Sequence, residues 1–238
     1  MERLQKQIGN LGYCSRRKAE ELIKEGKVFV NGEKITELGF KVNNTDIITV
    51  NGETLTNNEK VYYLFNKPRE VISTTKDDKG RKTILDYFDT DIRIYPVGRL
   101  DYDTTGLIIL TNDGEFANMM MKPSSKIKKV YLAKINSIMS IEELKTLEKG
   151  VTVKGIKYTP DKVKVKKVDK TKNTSMIEIT IHEGKNHEIK KMFEYFNLDV
   201  LKLTRIKYGD ISLDKLPSGK YRKLTIHEIK TLYSLIKK

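Results

Sequence analysis

"SMIEITIHEGKNHEIKKMFEYFN", residues Ser175 to Asn197, changes its hydrophobic period in mid-run. Ile177, Ile179 and Ile181 alternate with polar residues, so they share one face of a strand. Beyond Gly184 the apolar residues Ile189, Met192, Phe193 and Phe196 recur at helical spacing and form one stripe. A strand therefore passes through a short loop into an amphipathic helix. The same mixture fills the chain from Val61 onward. "VYYLFNKP" and "REVIST" read as strands flanking Lys67-Pro68, where proline confines pairing to a strand end. "LIILT" is a continuous apolar strand closed by Asn112-Asp113-Gly114, and "EFANMMMK" is a short helix. "KKVYLAKI" and "DKVKVKKVD" alternate, and "IEELKTLEKG" is a helix stopped by glycine. Strands and helices mix without regular βαβ alternation, which predicts an α+β domain around an antiparallel or mixed sheet.

Residues 1–60 form a different unit. Leu4 and Ile8 share a face of a first helix, and Ser15 is placed to cap a second, "RRKAEELIKEG", that buries Ala19, Leu22 and Ile23. Gly26 ends it. Val28–Val30 and "DIITV" are short strands, each closed by an Asn-Gly turn. The polar "ETLTNNEK" is the linker, so the expected division is a helix-rich domain over 1–58 and a larger one over 61–238.

Charge narrows the partners. The 238 residues carry a net charge of +14, and a basic chain is drawn to polyanions, nucleic acid above all. Residues 1–60 hold ten basic against nine acidic residues, whereas 61–238 hold 36 against 23. The excess lies in the larger segment. No apolar stretch is long enough to span a bilayer, the N-terminus shows no signal-peptide core, and the single Cys14 excludes a disulfide framework. A soluble, cytoplasmic chain is expected. A phosphate-cradling glycine loop, a dinucleotide fingerprint and a zincin or deaminase motif are all missing. His182 and His187 fit strand-surface and helix-start roles better than metal ligation. What remains is Asp101, within "GRLDYDTTGLIILTNDG" (Gly98–Gly114). By itself it is a turn former, half of an ion pair or a reactive group.

The order of helices, strand and "VNG" over residues 1–55 resembles the S-four-type RNA-binding module, whose basic second helix lies on RNA phosphates. The resemblance implies phosphate contacts for Arg16, Arg17, Lys18, Lys24 and Lys27. "RIYPVGRLDYDTTGLIILTNDGEFAN", "KVYLAKI" and "EGKNHEIKKMF" then follow in the order of the S-four-bearing ribosomal RNA pseudouridine synthases, the Rsu family. That resemblance spans nearly the whole chain. It implies isomerisation of a specific uridine to pseudouridine in ribosomal RNA, or in a ribosome assembly intermediate, with no cofactor and no metal; a monomer is expected. It implies Asp101 as nucleophile, on the sugar or the base, and Arg99 on phosphate or in the gap left by an extruded base. It also implies Tyr131 stacked on the uracil and Lys190 paired with Asp101. The N-terminal stretch and "SGKYRKLT" are nearest the large-subunit branch. A small-subunit enzyme and a non-catalytic assembly factor are the alternatives. The chain departs from the family where Lys185, Glu188, Lys190 and Lys191 replace frequent arginines and a glutamine, and where Asn197 replaces a usual glycine.

Overall fold

The computed structural model describes residues 1–236. The chain divides into two compact units. One comprises Met1–Val61 with Asp89–Tyr95 and Thr111–Gly114; the other comprises Tyr62–Phe88, Pro96–Leu110 and the chain from Glu115 on.

The first unit holds β1 (Glu2–Arg3), α1 (Leu4–Asn10), α2 (Arg16–Lys24), β2 (Val28–Val30), β3 (Glu33–Ile35), β4 (Lys41–Val42), β5 (Ile48–Val50) and β6 (Glu53–Thr54). β1 pairs with β4, and the other strands form a sheet in the order β3-β2-β5-β6. The Ser15 hydroxyl accepts the Lys18 amide at 3.1 Å and satisfies one of the open donors at the start of α2. Behind that cap Ala19, Leu22 and Ile23 pack into a core with Leu4, Ile8, Val28 and Val50. Asn31-Gly32 and Asn51-Gly52 both take positive φ, as the tight turns of right-twisted hairpins require. Cys14 packs against this core; burial pushes its thiol up against the lowering pull of Arg93 and Lys18.

From Tyr62 on, the chain forms β7 (Tyr62–Lys67), β8 (Tyr95–Pro96), β9 (Thr105–Thr111), β10 (Lys129–Ile135), β11 (Val151–Val153), β12 (Ile156–Tyr158), β13 (Lys162–Asp169), β14 (Thr174–Ile181), β15 (Val200–Tyr208), β16 (Ile211–Ser212) and β17 (Tyr221–Lys223). The helices of this stretch are α3 (Gly114–Met121), α4 (Ile141–Lys149), α5 (Glu188–Glu194) and α6 (Ile226–Ile236). The main sheet runs β13-β14-β10-β15-β9-β7-β17, with β16 on β15 and β8 on β9, while β11 and β12 pair separately. β13, β14, β10 and β15 are antiparallel in succession, whereas β15 and β9 are parallel, so the sheet is mixed. At that parallel contact Gly106 has φ +103, and an added Cβ would lie 2.2 Å from the Arg205 carbonyl oxygen. Only glycine fits there. Ile177, Ile179 and Ile181 are buried on one face of β14, and Ile189, Met192 and Phe193 are buried on α5. The helix stops at Glu194, so Phe196 lies past its end, followed by Asn197 at φ +57.

One expected strand is absent. "REVIST" (69–74) makes a single bridge, Ile72 to Thr83, instead of a strand. Pro68 offers no N–H, and Glu70 sits at φ +61, which breaks the extended run. The polar groups of this segment serve the loop that carries Asp101.

Candidate active site

That loop is held on both sides of Asp101. Before it, the Ser73 hydroxyl donates to the Leu100 carbonyl at 2.8 Å and accepts the Leu100 amide at 3.1 Å. After it, the Tyr102 carbonyl accepts from the Glu70 amide at 2.8 Å and from Lys67 Nζ at 3.3 Å. Asp101 itself closes a turn, its carbonyl accepting the Thr104 amide at 3.1 Å. A carboxylate between two such clamps is aimed by the backbone rather than by its own rotamer search, which is how a reactive group gains precision.

Lys67 is the larger anchor. Its side chain is fully buried, and its ammonium also donates to the carbonyls of Pro68 (3.1 Å) and Val71 (2.7 Å). Burial draws its pKa down to about 8, opposed by the charges of Asp103 and Asp101.

Lys190, on the first turn of α5, bridges two carboxylates: Nζ lies 3.2 Å from Asp101 Oδ2 and 2.7 Å from Asp103 Oδ1. Desolvation pulls the Lys190 pKa down, but the bonds and charges of Asp103 and Asp101 outweigh it and hold the ammonium above its ordinary value. Desolvation likewise acts to raise Asp103, and the Lys190 ammonium more than reverses it, leaving that carboxyl below its ordinary range. His187, at the start of α5 with φ +54, places Nε2 3.6 Å from Asp101 Oδ1. Asp101 thus has its two oxygens turned toward different cationic or polar partners, while its side chain remains about one-third exposed.

Asp101, His187 and Lys190 open onto a cavity of about 540 Å³. Tyr131 lines it, only 8% exposed, standing on β10 between Ile179 of β14 and Arg205 of β15. The buried Arg205 donates from Nε to the Leu107 carbonyl at 2.6 Å and lies over the Tyr208 ring. Arg99, exposed, lies at the cavity's edge. Its size lies in the range of small-molecule sites, with an aromatic wall, a carboxylate and cations around it. Glu188 is buried, its Oε2 accepting the Lys185 amide at 3.0 Å, and burial pushes its carboxyl up, so it caps the loop before α5.

Four residues singled out from sequence, Asp101, Arg99, Tyr131 and Lys190, therefore line one cavity. Arg16, Arg17, Lys18, Lys24 and Lys27 belong to the other unit and are all exposed; Lys18 pairs with Glu21 and Lys27 with Glu25. Sequence reasoning missed Lys67, Ser73, Asp103 as a second partner of Lys190, and His187 beside Asp101. No grouping of three or more His, Cys, Asp or Glu among the described residues has the arrangement of a metal site, and no described helix is long and apolar enough to cross a membrane.

Comparison with known proteins accounts for both units. Residues 2–48 match the S4 domain, and residues 61–195 match the RNA pseudouridylate synthase family. A ribosomal large subunit pseudouridine synthase B of Bacillus subtilis (strain 168) is 52% identical over 236 residues, 99% of this chain and 97% of the relative. A dual-specificity RNA pseudouridine synthase of Escherichia coli (strain K12) is 36% identical over 98% of this chain and 79% of its own length. A solved structure titled as a pseudouridylate synthase superposes with a TM-score of 0.68 at 30% identity, covering 98% of this chain and all of that one. With its clamped aspartate, aromatic cavity wall and N-terminal S4 domain, this chain belongs to the RNA pseudouridylate synthase family.

Proposed function

We propose that the chain converts one uridine of large-subunit ribosomal RNA to pseudouridine, with Asp101 as the nucleophile. The observation that carries this reading is the loop fixed at Leu100 and Tyr102, which presents Asp101 to the cavity beside Tyr131 and Lys190. The reaction breaks the N1–C1′ bond, turns the base, and joins C5 to C1′. The C5 proton is lost and N1 gains one, so no co-reactant is needed.

Each group has a part. An extruded base leaves its stack at a cost of a few kcal/mol, and the Tyr131 ring recovers some of it by stacking. Lys190 keeps a positive charge against Asp101 as RNA phosphates approach, and Arg99 meets a phosphate or fills the gap in the stack. We assign residues 1–58 as an RNA-binding domain that contributes affinity, and 61–238 as the catalytic domain, acting together as a monomer. The large-subunit choice rests on the similarity to the Bacillus subtilis relative over nearly the full length of both chains.

Purified protein incubated with transcripts carrying uridine tritiated at C5 is expected to release label from large-subunit rRNA. Release from small-subunit rRNA alone overturns the branch. No release from any rRNA or assembly intermediate favours a binding factor.

A further inference from the structure

The strands that build the cavity have a second face. Cross-strand partners share a face, and successive residues alternate between faces. Tyr131, Ile179 and Arg205 look toward the cavity, so their neighbours along the strands look away. Three rows cross that far face of β13, β14, β10 and β15. The first is Lys162–Thr180–Val130–Lys207, the second Lys164–Glu178–Leu132–Thr204, and the third Lys167–Met176–Lys134–Lys202. Half of the positions are lysines, and none of these six is in an ion pair among the described residues. The rows' one acid, Glu178, is taken by Lys166 at 3.4 Å. Lys134 and Lys202 stand directly opposite one another, an arrangement that destabilises a sheet by itself. At the end bearing Lys162 and Lys207 the face opens into a hollow of about 460 Å³, also lined by Lys126 and Lys128, with Asp161 and Asp210.

A general preference for lysine does not produce this. In residues 1–60 of the same chain the charges nearly balance, and four of the seven lysines are in ion pairs among the described residues: Lys6 with Glu2, Lys18 with Glu21, Lys27 with Glu25 and Lys60 with Asp113. The far face combines unneutralised ammonium groups, an opposed lysine pair and an open hollow.

We propose that this face is a second contact surface for the RNA substrate, holding the sugar–phosphate backbone of a segment that adjoins the one entering the cavity. The proposal rests on the rRNA reading above. Lysines act on phosphates as mobile point charges without bidentate geometry, so the surface grips backbone and reads no sequence. Strands about 4.8 Å apart spread the lysines over roughly 14 Å, a breadth that serves several phosphates at once.

The test uses the full-length protein and the triple variant Lys164→Gln/Lys202→Gln/Lys207→Gln, three exposed positions outside the cavity. Two RNAs are compared: a large-subunit rRNA transcript and the shortest stem–loop cut from it that still binds. On the long transcript the variant is expected to bind more weakly, with the slope of log K against log salt shallower by about two units. On the stem–loop its affinity, slope and tritium release should match the parent protein. An unchanged slope on the long transcript overturns the proposal. So does an equal loss on both RNAs, which would mean a diffuse field rather than a contact surface. Salt slopes are read without turnover, so a stem–loop that binds but is never isomerised would count against the catalytic reading alone.

Discussion

Replacing Lys190 by methionine removes the cation in ion-pair contact with both Asp101 and Asp103 while keeping the length and apolar stem of the side chain. At 3.2 Å from Asp101, the attraction at an effective dielectric of about 20 is roughly 5 kcal/mol. Water reduces it, because the Lys190, Asp101 and Asp103 side chains are 26%, 32% and 46% exposed. A residual of about 1.5–3 kcal/mol, the usual worth of a hydrogen bond to a charged group, corresponds to a fall in kcat of roughly ten- to a hundredfold. The loss should also depend on pH. Lys190 holds the Asp103 carboxyl below its ordinary range, so without it protonation at the site moves to higher pH. The acid limb of kcat therefore shifts upward, so the deficit is largest at the acid end and part of it is recovered as pH rises. Lys190→Arg keeps the charge and should stay much closer to the parent. Single-turnover tritium release at saturating enzyme between pH 5.5 and 9 reads all three. A Lys190→Met protein with the parent's kcat and acid limb would refute the shared-cation argument and leave His187 or Lys191 to be tested next.

The other expectations are briefer. Asp101→Asn preserves shape but removes the nucleophile; isomerisation should vanish, below one part in a thousand, with RNA affinity within a few-fold, and near-normal turnover would end the mechanism. Replacing Arg16, Arg17 and Lys18 together by alanine should weaken binding and flatten the salt slope by about one unit per lost contact, while saturating RNA restores most turnover; an unchanged slope would make the helix a merely solvated face. Lys67→Met should cost about 3 kcal/mol in urea unfolding, because the carbonyls of Pro68, Val71 and Tyr102 lose a buried donor. Its pKa is drawn from 10.5 down to about 8. Between those values the unfolded chain binds the extra proton, so stability should rise with pH by about 3 kcal/mol for this group, and the variant should lose that part of the rise. Lys129, drawn to about 8 by the same burial, supplies a similar increment that remains.

How much of the fold and the site is legible in the sequence follows from the range over which each interaction acts. Ser15, Asn31-Gly32 and the isoleucines of β14 declare themselves because caps, turns and face alternation are decided within a few residues. "REVIST" misleads for the opposite reason. Its β-branched residues satisfy a local strand pattern, but Ser73 and Glu70 spend their polar groups on Leu100 and Tyr102, some thirty residues away. Lys67 is of the same kind: a lysine after an apolar strand looks like a surface residue until the loop bearing Asp101 closes over it. The pairing of Lys190 with Asp101 joins positions far apart in the chain, and only the family's ordered motifs point to it. Asp103 as the closer partner could not have been chosen, since both aspartates lie in one turn and differ only in where the backbone clamps aim them. The far-face lysines show the limit most plainly. "DKVKVKKVD" announces an alternating strand, yet Lys134 opposite Lys202 exists only in the register, and a repulsive pair in a register is a property no single strand can display.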